Sequence, residues 1–288
     1  MGFRLATEGN RQAYASGPGW SRRGGRSRAF EIRGAGGQNR APTRPQAPGP
    51  GCQKRLALNE YTLSMRLERV AAHVPAGARL ADIGSDHGYL PVALVRRGAI
   101  VAAVAGEVAL TPYEAARRTV RENSLEDRIT VRHASGLAAI EPGDGITAIS
   151  ICGMGGETIR DILEAGKQYL GGHERLVLQP NGGEPALRQW LMDNGYRIVG
   201  EEVLRENRFD YEIIVAERAE AVAYTAEQLY FGPLLMQARS PAFLFKWQRM
   251  LRQKQQSLDN FARARQPVPE DKVRDITRQA GWIRELLA

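Results

Sequence analysis

Cysteine is nearly missing from this 288-residue chain. Its two thiols, Cys52 and Cys152, stand a hundred residues apart, which excludes a disulfide scaffold and points to a reducing, cytoplasmic setting. Histidine is scarce too, at four. With no Cys-x-x-Cys and no close histidine pair, no metal centre is expected. No apolar run approaches the ~20 residues that cross a bilayer, and no short apolar segment follows a basic start. Neither a membrane partner nor a secretory signal is therefore expected. What remains, 43% hydrophobic and 25% charged residues, fits a soluble globular protein of one or two domains, large enough to bury its own core.

Acidic residues are almost absent from one segment only. Residues 1–55 hold ten Arg and Lys54 against Glu8 and Glu31, with 11 Gly and five Pro. That composition cannot bury enough apolar area to offset the entropy of ordering it, so disorder is expected. A nucleic-acid arm, a targeting segment and an inert extension all remain open readings. Residues 56–218 carry a net charge of −5 and residues 219–288 a net charge of +4. A basic, folded C-terminal segment suits an anionic partner.

From about Asn59 the pattern becomes regular. Leu63, Leu67, Val70 and Val74 recur at helical spacing and stop at Pro75. Strands are then expected at Arg79–Ile83, Ile100–Val104, Ile129–His133, Ile146–Cys152 and Arg175–Gln179. Helices are expected between them, at Gly88–Arg97, Pro112–Asn123, Glu157–Gly166 and Glu184–Asn194. Such alternation predicts a mostly parallel sheet covered on both faces. Tyr196–Val203 and Phe209–Val215 predict an antiparallel pair closing that sheet, a feature of class I methyltransferases and of few dinucleotide dehydrogenases. Beyond Glu217, Leu244, Trp247, Leu251, Lys254, Leu258 and Phe261 keep a three-four spacing. After Pro267 and Pro269, Val273, Ile276, Ala280, Ile283 and Leu287 repeat it, predicting an antiparallel, coiled-coil-like helical hairpin.

The first strand runs into D-I-G-S-D-H-G-Y, residues 82–89. A Gly-containing turn between strand and helix brings backbone amides close to a ligand at the sheet's carboxyl edge. Asp82 is expected to orient the turn or an amino-acid moiety, and Gly84 to clear space for ligand contact. Asp86 in the turn would repel a pyrophosphate but accept a sulfonium or ammonium group, which argues against a dinucleotide dehydrogenase. Glu107, 23 positions after Gly84, stands where an acid accepts hydrogen bonds from ribose hydroxyls. Ser135, Gly136 and Leu137 follow the third strand, where an adenine ring is usually flanked. The fourth strand ends in I-C-G-M-G-G, residues 151–156, a floor with little side-chain bulk that suits a flat target base. Cys152 reads as a buried small hydrophobe, and His73, His133 and His173 as structural.

Six stretches now acquire a common meaning: L-S-M-R-L-E-R-V (63–70), D-I-G-S-D-H-G-Y-L-P (82–91), A-G-E-V (105–108), G-M-G-G (153–156), L-Q-P-N (178–181) and F-G-P (231–233). Together they resemble the bacterial tRNA adenine-22 N1-methyltransferase family, from about Asn59 to the C-terminus. The resemblance implies a Rossmann-like, S-adenosyl-L-methionine-dependent catalytic domain over 56–218 and a tRNA-binding helical hairpin over 219–288. It places Asp82, Gly84, Asp86, His87 and Tyr89 around the methionine end and the catalytic entrance. Glu107 and Val108 would hold ribose and adenine, with Gly136 and Leu137 beside them. Gly153, Met154 and Gly155 would face the target base, and Arg66, which matches the arginine of the family's entry helix, would contact the RNA.

Adenine N1 carries an in-plane lone pair and needs no general base, so such an enzyme supplies proximity, in-line geometry and base extrusion. Asp86 is the expected carboxylate near the methylated, cationic ring, and Tyr89 the expected stacking or hydrogen-bonding partner of the base. Between residues 241 and 265, Lys246, Arg249, Arg252, Lys254, Arg263 and Arg265 face only Asp259. The first four are the expected phosphate contacts, on a monomeric enzyme. Two other readings stay open, a methyltransferase of another RNA and a non-catalytic RNA-binding protein. The second would be expected to lose the acidic residues of the turn, yet Asp82 and Glu107 are both present.

Overall fold

The computed structural model describes residues 61–220, 222–264 and 266–288; the basic extension at 1–55 and Arg265 lie outside them. Helix α1 (Met65–His73) begins where Ser64 Oγ accepts the Leu67 amide at 3.2 Å. The Glu206 carboxylate takes two more free amides, from Met65 (2.8 Å) and Arg66 (3.1 Å). Unpaired N–H groups and the helix dipole both favour an anion at that end. Val70 is fully buried and Leu63 and Val74 nearly so, as the spacing predicts.

Five strands run parallel: β1 (Ala78–Ile83), β2 (Ile100–Glu107), β3 (Ile129–His133), β4 (Ala148–Met154) and β5 (Arg175–Pro180). Two longer ones, β6 (Tyr196–Glu206) and β7 (Phe209–Arg218), pair antiparallel and close one edge. The order across the sheet is β3-β2-β1-β4-β5-β7-β6. Connections leave β1 in one direction and β4 in the other, so a crevice opens between their carboxyl ends. Helices α1, α2 (Tyr89–Arg96) and α3 (Leu110–Glu122) cover one face; α4 (Gly156–Ala165) and α5 (Glu184–Asp193) cover the other. With both faces covered, central strands need no polar alternation: Leu176, Val177 and Leu178 of β5 are all fully buried. Observed and expected boundaries agree within a few residues; β2, β6 and β7 each run three residues further than expected, to Glu107, Glu206 and Arg218.

The closing hairpin outruns the sheet. Pairing of β5 with β7 stops at Leu178 and Ile214, whereas β6 and β7 stay paired out to Glu206 and Phe209. Residues 209–213 therefore project about 16 Å, at about 3.3 Å per residue, past the carboxyl edge that holds the crevice.

After Arg218 the strands stop. Two short helices that the spacing did not reveal, α6 (Ala226–Phe231) and α7 (Pro233–Ala238), precede the expected hairpin of α8 (Pro241–Ala262) and α9 (Glu270–Leu287). Val203 of β6 joins Phe231, Leu235, Phe243, Trp247, Ile283 and Leu286 in a third apolar cluster. The described residues form one compact unit, so position 218 marks a change of architecture rather than a gap. Beneath this cluster lies a buried ionic group. Arg188 of α5, fully buried, bonds Glu201 of β6 (2.8 Å) and Glu212 of β7. Lys246 of α8 reaches Glu212 at 2.5 Å and Glu184 at 3.5 Å.

Candidate active site

The crevice is a cleft of about 370 Å³, lined from α1, the turn after β1, the end of β2 and the end of β4. Its turn, residues 84–88, needs left-handed backbone at three positions: Gly84 (φ +70°), Asp86 (φ +57°) and Gly88 (φ +71°). Aspartate is one of the few non-glycine residues that tolerate this region. A Cβ at Gly84 would also displace the flexible end of the Met154 side chain.

Three carboxylates surround the turn, each differently held. Asp82 is 4% exposed and accepts hydrogen bonds from Ser85 Oγ and Ser150 Oγ, both at 2.6 Å. Burial pushes its pKa above the usual carboxylate range, against the pull of the two hydroxyls. Glu107, at the end of β2, accepts the Asp86 amide on Oε1. Burial raises its pKa as well, with the Asp82 and Asp86 carboxylates adding to the push. Asp86 points its own side chain outward, 76% exposed, with Oδ1 3.8 Å from His87 Nε2. The His87 and Tyr89 rings stack, centroids 5.0 Å apart and 12° from parallel, at the mouth.

The opposite wall is built from backbone. Gly153 (φ +78°) bulges out of β4, shifting the β4–β5 register between Cys152 and Met154. Its amide donates to Gln179 Oε1 (3.1 Å) and its carbonyl accepts Asn181 Nδ2 (2.8 Å). The Asn181 amide donates to the Met154 carbonyl at 2.7 Å. Gln179 Nε2 donates to the Pro180 carbonyl (2.8 Å) and to Asn181 Oδ1 (3.1 Å), and its Oε1 also accepts Arg66 Nη1. Gln179 and Asn181 thus hold the whole wall, a role that spacing alone did not assign. The one available signal was a pair of amides around Pro180 at a strand's carboxyl end. Cys152 lines the cleft, but burial pushes its thiol pKa far up, leaving it protonated and inert.

Other expectations need correcting. Leu137 is 1% exposed and packs in the core under α4, so its side chain cannot flank a ligand. Gly136 is half-buried and Val108 exposed, its carbonyl accepting His133 Nε2 at 2.9 Å. Neither lines the cleft. Gly155 is the residue before α4 and lies outside the lining as well. Gly156, the last of the three glycines, serves packing: its amide bonds the Gly182 carbonyl at 2.7 Å, and a Cβ would overlap the Gly183 backbone. Arg66 belongs to the cleft wall rather than to an outer surface, its guanidinium 5.5 Å above the Tyr211 ring.

The four basic residues of α8 separate sharply. Lys246 is 8% exposed and committed to Glu212 and Glu184, which removes it from any phosphate-facing surface. Lys254 is half-buried and donates to Gln279 Oε1 at 2.6 Å; burial lowers its pKa. Arg249 pairs with Asp210. Arg252 stays exposed, with no partner among the described residues. The three structural histidines are bonded: His73 to Glu202, His133 to Val108 and His173 to the Ile146 carbonyl. Among the described residues no group of three His, Cys, Asp or Glu side chains could hold a metal, and no helix is long and apolar enough to cross a membrane.

A seven-stranded sheet of this order, with an acidic turn after β1 and a ribose-distance acid after β2, defines a class I, Rossmann-like methyltransferase. Within that class the chain belongs to the tRNA (adenine(22)-N(1))-methyltransferase family, TrmK, whose model matches residues 80–277. The tRNA (adenine(22)-N(1))-methyltransferase of Bacillus subtilis is 37% identical over 236 residues, 80% of this chain and 99% of that protein. The crystal structure of the B. subtilis m1A22 tRNA methyltransferase TrmK superposes with a TM-score of 0.74 at 35% identity, covering 79% of this chain and 100% of that one. A Streptococcus pneumoniae protein solved in complex with S-adenosyl-L-methionine gives 0.72 at 42% identity, covering 78% and 99%.

Proposed function

We propose that this chain transfers the methyl group of S-adenosyl-L-methionine to N1 of adenine 22 in tRNA. One observation carries the reading: a family-wide match whose cleft keeps Asp82, Asp86 and Glu107 on one side and a backbone-built wall on the other. That donor set fits the cofactor. An acid-lined cleft suits a cationic cofactor, and the bulk-free turn at Gly84 lets backbone approach closely. When bound, the cofactor supplies an electrophilic methyl group.

The chain's own residues do the rest. Glu107 spends one oxygen on the Asp86 amide and offers the other to ribose hydroxyls. Asp82 locks the turn through Ser85 and Ser150. Gly153 and Met154 face the target base, and Gln179 and Asn181 keep that wall in place. The base enters past the stacked His87 and Tyr89 and past Arg66. Because adenine N1 is already unprotonated, no residue has to remove a proton before attack. Asp86, outward at the mouth, offsets the positive charge that methylation leaves on the ring. The α8–α9 hairpin, through Arg252 and other exposed basic residues, contacts the tRNA backbone. The protein acts as a cytoplasmic monomer.

Incubating unmodified tRNA with protein and S-adenosyl-L-methionine, followed by nucleoside mass spectrometry, tests the reading. The expected product is 1-methyladenosine, lost when adenine 22 is replaced by guanine. Methylation that persists in the substituted tRNA would move the target elsewhere.

A further inference from the structure

A second hollow, of about 620 Å³, adjoins the cleft, and the reaction assigned above gives it no role. Its walls come from the loop after β5, the projecting tip of β6–β7 and the first half of α8. Asn181 belongs to it and to the methyl-transfer wall at once. Phe209 at the tip is 64% exposed, and its ring lies 6.3 Å from that of Tyr211, which in turn carries Arg66 of the cleft. Phe209 therefore leaves an open ring face at the edge of the hollow, beside the half-buried Tyr211.

The charges around these rings are unequal. Asp210 pairs with Arg205 and Arg249. Arg208, held left-handed at φ +73°, has no counter-ion among the described residues. An exposed aromatic ring flanked by a cation without a counter-ion matches an unstacked nucleobase and its phosphate.

We propose that the β6–β7 tip is a nucleotide-stacking platform, on which a base of the tRNA next to the methylated adenine stacks over Phe209 while Arg208 takes its phosphate. The inference rests on the tRNA reading above and adds the place where the extruded base's neighbour is held. It assigns the projecting strand its purpose: a base flipped into the cleft leaves its neighbour unstacked, and the platform replaces the lost stacking within about one strand-tip's reach.

The test measures tRNA affinity separately from methylation, over a series of salt concentrations. Phe209→Ala should weaken tRNA binding by about five- to a hundredfold, with melting temperature and S-adenosyl-L-methionine affinity unchanged. Phe209→Tyr should restore binding. Arg208→Ala should flatten the slope of log affinity against log salt by about 0.7–0.9. Wild-type tRNA affinity in Phe209→Ala overturns the platform. So does self-association of the wild type that Phe209→Ala abolishes while tRNA affinity stays unchanged, since the ring then covers a second copy. If the wild type binds tRNA but forms no 1-methyladenosine, the assigned reaction fails and the binding comparison still decides the platform. If it binds no tRNA, both fall.

Discussion

Asp86 and Glu107 meet through a main-chain amide and a carboxylate, not through two side chains. The acid expected to touch ribose is therefore also the strut that holds the turn's left-handed residue. Cofactor contact and turn geometry share one group. Glu107→Ala should weaken S-adenosyl-L-methionine binding by about 1.5–3 kcal/mol, or about ten- to a hundredfold. Calorimetry reads it, and an unchanged dissociation constant would put the ribose elsewhere.

The same carboxylate predicts a pH dependence. Burial, with Asp82 and Asp86 nearby, holds its pKa above the usual carboxylate range. The folded protein thus favours the protonated form, a contribution to stability present in acid and lost as pH rises through that raised value. Binding of a cationic cofactor runs the other way and needs the charge. Affinity should fall on acidification at a pH where an ordinary carboxylate is still ionised. Glu107→Gln should flatten that part of the titration, measured between about pH 5 and 8.

Gly156→Ala places a methyl group against the Gly183 backbone, which no rotamer change relieves. The expected cost is at least about 2 kcal/mol, with methylation reduced further because Asn181 moves with the loop. Gly143→Ala is the matched control, since nothing lies within 4 Å of a Cβ there. Thermal melting of the two variants should differ by several degrees.

Gln179→Ala leaves the Gly153 amide and Arg66 without their shared acceptor. Single-turnover methylation should drop about ten- to a hundredfold, as one to three kcal/mol of positioning is lost, while cofactor affinity stays within a few-fold. A normal rate would mean that the wall is held by Asn181 alone.

Lys246 and Arg252 lie six residues apart on one helix and should behave oppositely. Lys246→Ala strips Glu212 of a buried partner and should cost about 3–5 kcal/mol in stability, leaving the salt slope of tRNA binding as it was in whatever protein folds. Arg252→Ala should leave melting unchanged and flatten that slope by about 0.7–0.9. Reversal of the two outcomes would return Lys246 to the RNA surface.

Much of this architecture was legible because the hydrophobic period is regular where both sheet faces are covered. The antiparallel pair was equally legible from Tyr196 to Val215. The acids were legible by spacing, since Asp82 and Glu107 end neighbouring strands. What escaped is long-range. Gln179 and Asn181 act through backbone atoms of Gly153 and Met154, about 26 residues away, and no local pattern encodes such a bond. Lys246 failed for a different reason: a lysine between apolar residues reads as solvated until Glu212 and Glu184 are folded against it. Helices α6 and α7 are too short, at six residues each, to show a period.

The buried ionic group beneath the third cluster also decides how this protein can be cut. Ending the chain at Arg218, where composition changes, would remove Lys246 and with it one of the two cations facing Glu212. The backbone groups of Leu229, Leu234 and Leu235 that bond Arg188 and Glu201 would go too. Such a fragment would expose Val203 and an acid-rich strand face together, a surface that neither water nor another helix suits. The catalytic half is therefore no free-standing module: its helical arm completes it chemically, and dissection has to retain at least α6 through the first turns of α8.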